Sequence, residues 1–259
     1  MKTVQWIIVA GLIVCNALFV DAKEEWSEHK SAHFVIYYRA APEDFVKTVE
    51  ESAEQYYRQI AANLGFTRYK NWTYDERAKI YIFDDNDHYV SASEGPGWSS
   101  GHAYTREKII RTFPSAHGFF DSTLPHELGH IIFREYIGEQ ADVPRWFDEG
   151  VAMYQEKAKR WGANQLVLAA LNNGTFLTIK DLNTIGLRGS SDRDLVELFY
   201  AESASVVYYL ITEHGEARFE RLCRKLKDGT PFMWALKSIY PRFKDLDDLN
   251  RAWVEYLKS

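Results

Sequence analysis

The 259-residue sequence has little cysteine, no surplus of positive charge and, near its start, an apolar run too short to cross a membrane, and each shortfall narrows what the chain can be. Cys15 and Cys223 are the only cysteines. Cys15 lies in a leader-like segment, where Lys2 precedes an apolar run from Trp6 to Val20 and Ala22 offers a small residue for cleavage. That run falls short of the roughly 20 residues that a span needs. The expectation is therefore a signal peptide over 1–22 and a secreted, periplasmic or extracellular protein that no longer engages the membrane. Removal of the leader leaves Cys223 alone, which excludes an intramolecular disulfide and makes the core the source of stability. Lys and Arg number 31 against 37 Asp and Glu, a formal net charge of −6. Such a balance provides no broad basic field, so nucleic acid is not an expected partner.

Apolar residues make up 46% of the chain and aromatics 15%, enough for one substantial core over 23–259. Residues His33 to Tyr38 are almost all aromatic or β-branched and read as a buried strand. After Pro42, the residues Phe45, Val49, Ala53, Tyr56, Ile60 and Leu64 recur at helical spacing, with Gly65 placed to stop the helix. Ile80 to Phe83 reads as a second strand. Gly95-Pro96-Gly97 marks a loop before a third at about His102 to Phe113. Beyond Gly118 the pattern is helical, with helices expected at 122–137, 143–158, 163–173, 194–214, 216–228, 231–240 and 245–258. The fold class is α+β: a small mixed lobe of sheet and helix over 23–118, then a mainly helical lobe over 119–259.

The chemistry concentrates in Thr123-Leu124-Pro125-His126-Glu127-Leu128-Gly129-His130, an H-E-x-x-H pattern inside a helical period. Four residues advance a helix by about 400°, so His126 and His130 stack on one face about 6 Å apart and both imidazoles reach one cation. Glu127 sits about 100° around the helix, where it can reach a water without being a ligand. A catalytic zinc takes three protein ligands and keeps a fourth position open, so a third donor is needed. Eighteen residues after His130, Glu149 lies one turn inside a second helix in Pro144-Arg145-Trp146-Phe147-Asp148-Glu149-Gly150. The expected cofactor is one Zn2+ per chain on His126, His130 and Glu149, with Glu127 as general base. The substrate would be a peptide or protein.

This combination resembles the gluzincin metallopeptidases, in particular the peptidase-MA-like group and, more distantly, both thermolysin and the zinc aminopeptidases related to leukotriene A4 hydrolase. The likeness runs from the strand at His33 to beyond Tyr209. In those families the glutamate of W-x-x-E-G is the third zinc ligand, and a tyrosine further along, near the start of a helix, is catalytic. The resemblance thus implies a catalytic Tyr200, with Tyr208 and Tyr209 as nearby competitors. The aminopeptidase G-x-M-E-N segment is missing, so aminopeptidase specificity is not implied; Gly101-His102-Ala103-Tyr104-Thr105 is its nearest positional counterpart. Two other functions stay open at this stage: a zinc-binding scaffold without activity, and a zinc hydrolase of non-peptide amides or esters. The remaining histidines, His29, His33, His88, His117 and His214, have no partner at ligand spacing and are expected to serve packing or the surface.

Overall fold

A computed structural model describes residues 26–66, 72–92, 101–114, 116–187 and 192–259, with the side chains of 157–161 also outside the described set. The leader, Cys15 and the Gly95-Pro96-Gly97 loop lie outside the described residues. Strands β1 (Ser27–Lys30), β2 (Phe34–Tyr38), β3 (Ala78–Ile82), β4 (Gly101–Tyr104) and β5 (Ile109–Thr112) form one sheet in the order β1-β2-β3-β5-β4. The three inner strands are parallel and the two edges antiparallel. In β3 the pleat buries Ala78, Ile80 and Ile82 and leaves Lys79 and Tyr81 half-exposed, as period-2 alternation requires. The parallel step from β2 to β3 needs a crossover, and the helix expected after Pro42 supplies it as α1 (Glu43–Asn63). Its Val46, Val49, Ala53 and Ile60 are buried, and Gly65 follows with φ +68°.

One strand was expected over His102 to Phe113; the structure has two. Thr105–Lys108 closes a turn, with Lys108 N–H donating to the Thr105 carbonyl, and the chain doubles back so that β5 enters the sheet beside β3 while β4 becomes its edge. Strand β1 and the short helices α2 (Asn86–Ala92) and α6 (Ile179–Thr184) were not expected either. The polar Ser-Glu-His-Lys of β1 carries no apolar alternation, and its pairing with β2 rests on the ladder and on the adjoining Trp26, whose ring meets Tyr81 and Phe83.

The helical part contains α3 (Leu124–Ile137), entered through a π-helical turn at Phe119–Thr123, then α4 (Arg145–Met153), α5 (Lys157–Asn173), α7 (Arg193–Thr212), α8 (Glu216–Lys227), α9 (Phe232–Ile239) and α10 (Leu246–Lys258). Asp245 caps α10 by accepting from the Asp248 N–H, so the acidic run there is a helix start. One apolar core joins both parts, running from Phe34, Ile80 and Ile110 of the sheet to Phe147, Leu210 and Trp253 of the helices. The helix expected over 143–158 ends at Met153, and the next begins at Lys157 rather than 163. Between them Glu156 is extended. Nothing in the apolar period marks this break, because Tyr154-Gln155-Glu156 contains neither glycine nor proline.

Within α7, Glu202 is fully buried, accepts the Leu177 N–H through Oε1, and leaves Oε2 without a partner. Burial pushes its carboxyl up to about 8. A carboxyl whose pKa rises on folding stays protonated in the native state while the unfolded chain ionises, so stability falls as pH climbs from 4.5 toward 8. The expected loss between pH 6 and 8 is on the order of 2 kcal/mol, and Glu202→Gln, which keeps the Leu177 bond, should remove that slope. Denaturant unfolding of both proteins at the two pH values tests this; parallel profiles would refute it.

Candidate metal centre and active site

Helix α3 places Leu124, Leu128, Ile131 and Ile132 in the core and turns His126 and His130 toward α4. Pro125 lies in its first turn, where a missing N–H is harmless. His126 Nε2 and His130 Nε2 are 3.2 Å apart, and Glu149 Oε2 on α4 lies 3.6 Å from the first and 3.5 Å from the second. Tetrahedral zinc with bonds of about 2.0–2.1 Å holds its donors about 3.3–3.4 Å apart. The three atoms already stand within a few tenths of an ångström of that spacing, so the donor set fits zinc in type and in separation. Burial alone would push both imidazoles down, but Glu149 and Glu156 beside His126, and Asp148 and Glu149 beside His130, outweigh it and raise both. Burial likewise opposes the charge of Glu149, yet the two imidazoles hold its carboxyl far below the usual range. The centre is thus biased toward bound positive charge.

The outer partners were not foreseen. Glu156, 1% exposed, receives His126 Nδ1 at 2.9 Å on Oε1, and Ser122 Oγ donates to its Oε2. Asp148 Oδ1 lies 3.5 Å from His130 Nδ1, while its Oδ2 accepts from Arg134 Nη2 at 2.8 Å. The Glu156 bond fixes the His126 tautomer that leaves Nε2 free for a metal, whereas Asp148 stands behind His130 at ion-pair distance and its Oδ1 makes no hydrogen bond. The break before α5 is what allows Glu156 to reach back to α3. A faint signal existed in the sequence, since Glu156 follows Glu149 by seven residues and Arg134 follows His130 by four. Glu156→Ala is expected to weaken zinc binding about 10- to 100-fold, with Glu156→Gln intermediate, in competition against a chelator. Equal affinities would show that Glu156 merely fills space.

Glu127 and Tyr200 lie near the cluster, close enough for charge interactions with its members. The charge of Glu127 acts on both His126 and Tyr200. Burial raises the Tyr200 hydroxyl, Glu149 raises it further, and Arg145 draws it back through charge and hydrogen bonding. Its competitors are engaged elsewhere: Tyr209 accepts from Arg242 at 2.6 Å, and the Tyr208 ring packs 6.2 Å from that of Tyr154. His102 and Tyr104 on edge strand β4 pack edge to face at 5.1 Å, with the Arg111 guanidinium over Tyr104. Trp146 is completely buried, a packing residue. Of the other histidines, His29 pairs with Glu50, His33 with Glu54 and His88 with Asp84, and His214 sits among the rings of Tyr209, Tyr240 and Phe243.

Arg145 stands out energetically. Its Nε is 3.5 Å from Glu149 Oε1, its guanidinium lies over the Phe199 ring, and its side chain is 50% exposed. An exposed i,i+4 pair contributes about 0.3–0.5 kcal/mol, whereas a cation in the first turn of a helix opposes the macrodipole by about 0.3–1 kcal/mol. These two effects roughly cancel, which leaves the contact with the Phe199 ring, about 0.5–1 kcal/mol at an exposed site, as the net stabilisation.

The solved structures that this fold matches include native yeast LTA4 hydrolase, at TM-score 0.53 and 14% identity over 86% of this chain and 38% of that one. The same yeast protein in complex with bestatin matches at TM-score 0.52, with 14% identity and equal coverage. The chain thus spans only 38% of the length of these relatives, and the likeness is one of fold. No curated protein matches its sequence. The family model described as Peptidase MA superfamily matches residues 67–259, a stretch that contains every residue of the centre described above. With most of its length matched by that model, the chain belongs to the Peptidase MA superfamily, whose fold is of the metallopeptidase type.

Proposed function

We propose that the protein is an exported zinc metallopeptidase of the gluzincin type, with one zinc on His126, His130 and Glu149. The observation that carries this reading is the spacing of the three donor atoms, 3.2 to 3.6 Å, which suits a tetrahedral ion. When bound, zinc supplies a Lewis acid with an open position and lowers the pKa of water there toward 7. Glu127 takes the proton of the attacking water and hands it to the leaving amine. Tyr200 donates its hydroxyl to the carbonyl oxygen as negative charge grows on it. Among the described residues β4 is an edge of the sheet, and an extended peptide would align along it beside His102 and Tyr104. Export rests on the leader-like residues 1–22.

The test is metal content and peptide cleavage in one preparation. Near one zinc per chain, with cleavage of a diverse peptide library that stops on chelation and returns with zinc, is the expected result. A folded chain without zinc affinity sinks the reading, and zinc without cleavage removes the peptidase part. Tyr200→Phe should lower kcat about 100- to 1,000-fold with zinc content unchanged. Unaltered turnover would remove Tyr200 from the mechanism.

A further inference from the structure

We propose that Arg145 is an anion subsite of the cleft and that the preferred substrates are peptides carrying a carboxylate close to the scissile bond. This rests on the peptidase reading and specifies its substrate class. Arg145 opens α4, four residues before Glu149, and lies against Phe199, the neighbour of Tyr200 on α7. A guanidinium has five N–H donors arranged as a planar fork. The Nε side faces Glu149 Oε1, the oxygen turned away from the histidines, whose Nε2 atoms face Oε2. Among the described residues no second carboxylate pairs with Arg145, and half of its side chain is exposed. Glu149 and the Tyr200 hydroxyl take part of the fork, and the remaining donors of this half-exposed cation lie beside the hydroxyl assigned to the carbonyl oxygen. The complement of such a fork is a carboxylate held by two parallel hydrogen bonds. That carboxylate is either the C-terminus of a short peptide or an Asp or Glu side chain near the cleaved bond.

Three pools of hexapeptides of equal neutral composition separate these sources: one with free C-termini, one amidated, and one amidated with a single Asp. Cleavage by the zinc-loaded parent, Arg145→Gln and Arg145→Lys is followed by mass analysis of products, with thermal unfolding as a check on each fold. In parallel, retention of each pool on immobilised, zinc-loaded Glu127→Gln, with and without Arg145→Gln, measures binding independently of turnover. The expected result is roughly 10- to 100-fold better retention and kcat/KM for one or both anionic pools, expressed in KM. Arg145→Gln should abolish that preference, read as the ratio of the anionic to the amidated neutral pool within each variant, and Arg145→Lys should keep part of it. The pool that shows the preference identifies the source.

Undiminished preference in Arg145→Gln, or no preference in the parent, overturns the proposal. A uniform fall in kcat for all pools also overturns it, since Arg145 would then act by holding Tyr200. Should the parent bind zinc and cleave nothing, the peptidase reading fails and retention decides alone: anionic enrichment lost with Arg145 upholds the subsite, and its absence rejects it.

Discussion

Gly150→Ala is expected to destabilise the protein by about 3 to 5 kcal/mol and to lower its melting temperature by roughly 10 °C, the upper range for overpacking in a chain of this size. Gly150 lies where α4 crosses α7. A Cβ added there would meet the Ser203 carbonyl oxygen at 2.3 Å, the Ser203 carbonyl carbon at 2.9 Å and Val207 Cγ2 at 2.7 Å. Two of these three atoms are backbone in the middle of α7, so no rotamer change relieves the clash, and the helices must separate along their crossing. Glu149 precedes Gly150 directly, and Tyr200 lies one turn before Ser203, so separation also moves Glu149 away from Tyr200. The variant should lose zinc affinity together with stability, read by thermal unfolding with and without zinc. A melting temperature within 2 °C of the parent would mean that the crossing is looser than described.

The contrast between Gly150 and Gly129 shows what the sequence can and cannot reveal. Gly129 invites attention because glycine costs about 1 kcal/mol inside a helix, and the structure supplies the compensation: a Cβ there would stand 3.0 Å from the Ala152 Cα and 3.1 Å from Gln155 Cγ. Gly150 draws no notice, because a glycine after Glu149 reads simply as part of a motif, yet it sits at the tighter contact. Both belong to helix crossings, and a crossing depends on which helices meet, which local periodicity does not encode. The same limit explains the site. The convergence of His126, His130 and Glu149 was legible because their relation is set by helical spacing and one short connection. Glu156 was hidden because its role needs a helix to stop without a breaker residue, and Arg145 because its neighbour Tyr200 comes from a distant helix. In the fold, the long helices and the strands at His33 and Ile80 followed from period and composition. The hairpin of β4 and β5 did not, since a charged turn at Thr105–Lys108 separates two strands of four residues each, too short to alternate visibly.

Glu127→Gln is expected to lower kcat by about 100- to 10,000-fold while zinc content and stability stay as in the parent. The expectation follows from position. Glu127 follows His126 by one residue, so the helix turns its carboxylate about 100° away from the line joining the two imidazoles, onto the side where Tyr200 lies. It is half-buried and absent from the group of three donors that converge. Glutamine keeps the shape and the helix propensity, so neither the core around Leu128 nor the donor set is disturbed. What it removes is the ability to accept a proton from water and return it to the leaving amine. Glu149→Gln is the informative counterpart: it deletes a donor charge rather than a base, and should lose zinc before it loses anything else. Glu127→Asp falls between, since it retains the base and withdraws it by one methylene, and displacements of about 1 Å cost roughly 100-fold. Zinc lost from Glu127→Gln would make Glu127 a ligand and reassign the centre. Full turnover with zinc retained would leave the attacking water activated by something other than Glu127, and Tyr200 would be the first group to test in that role.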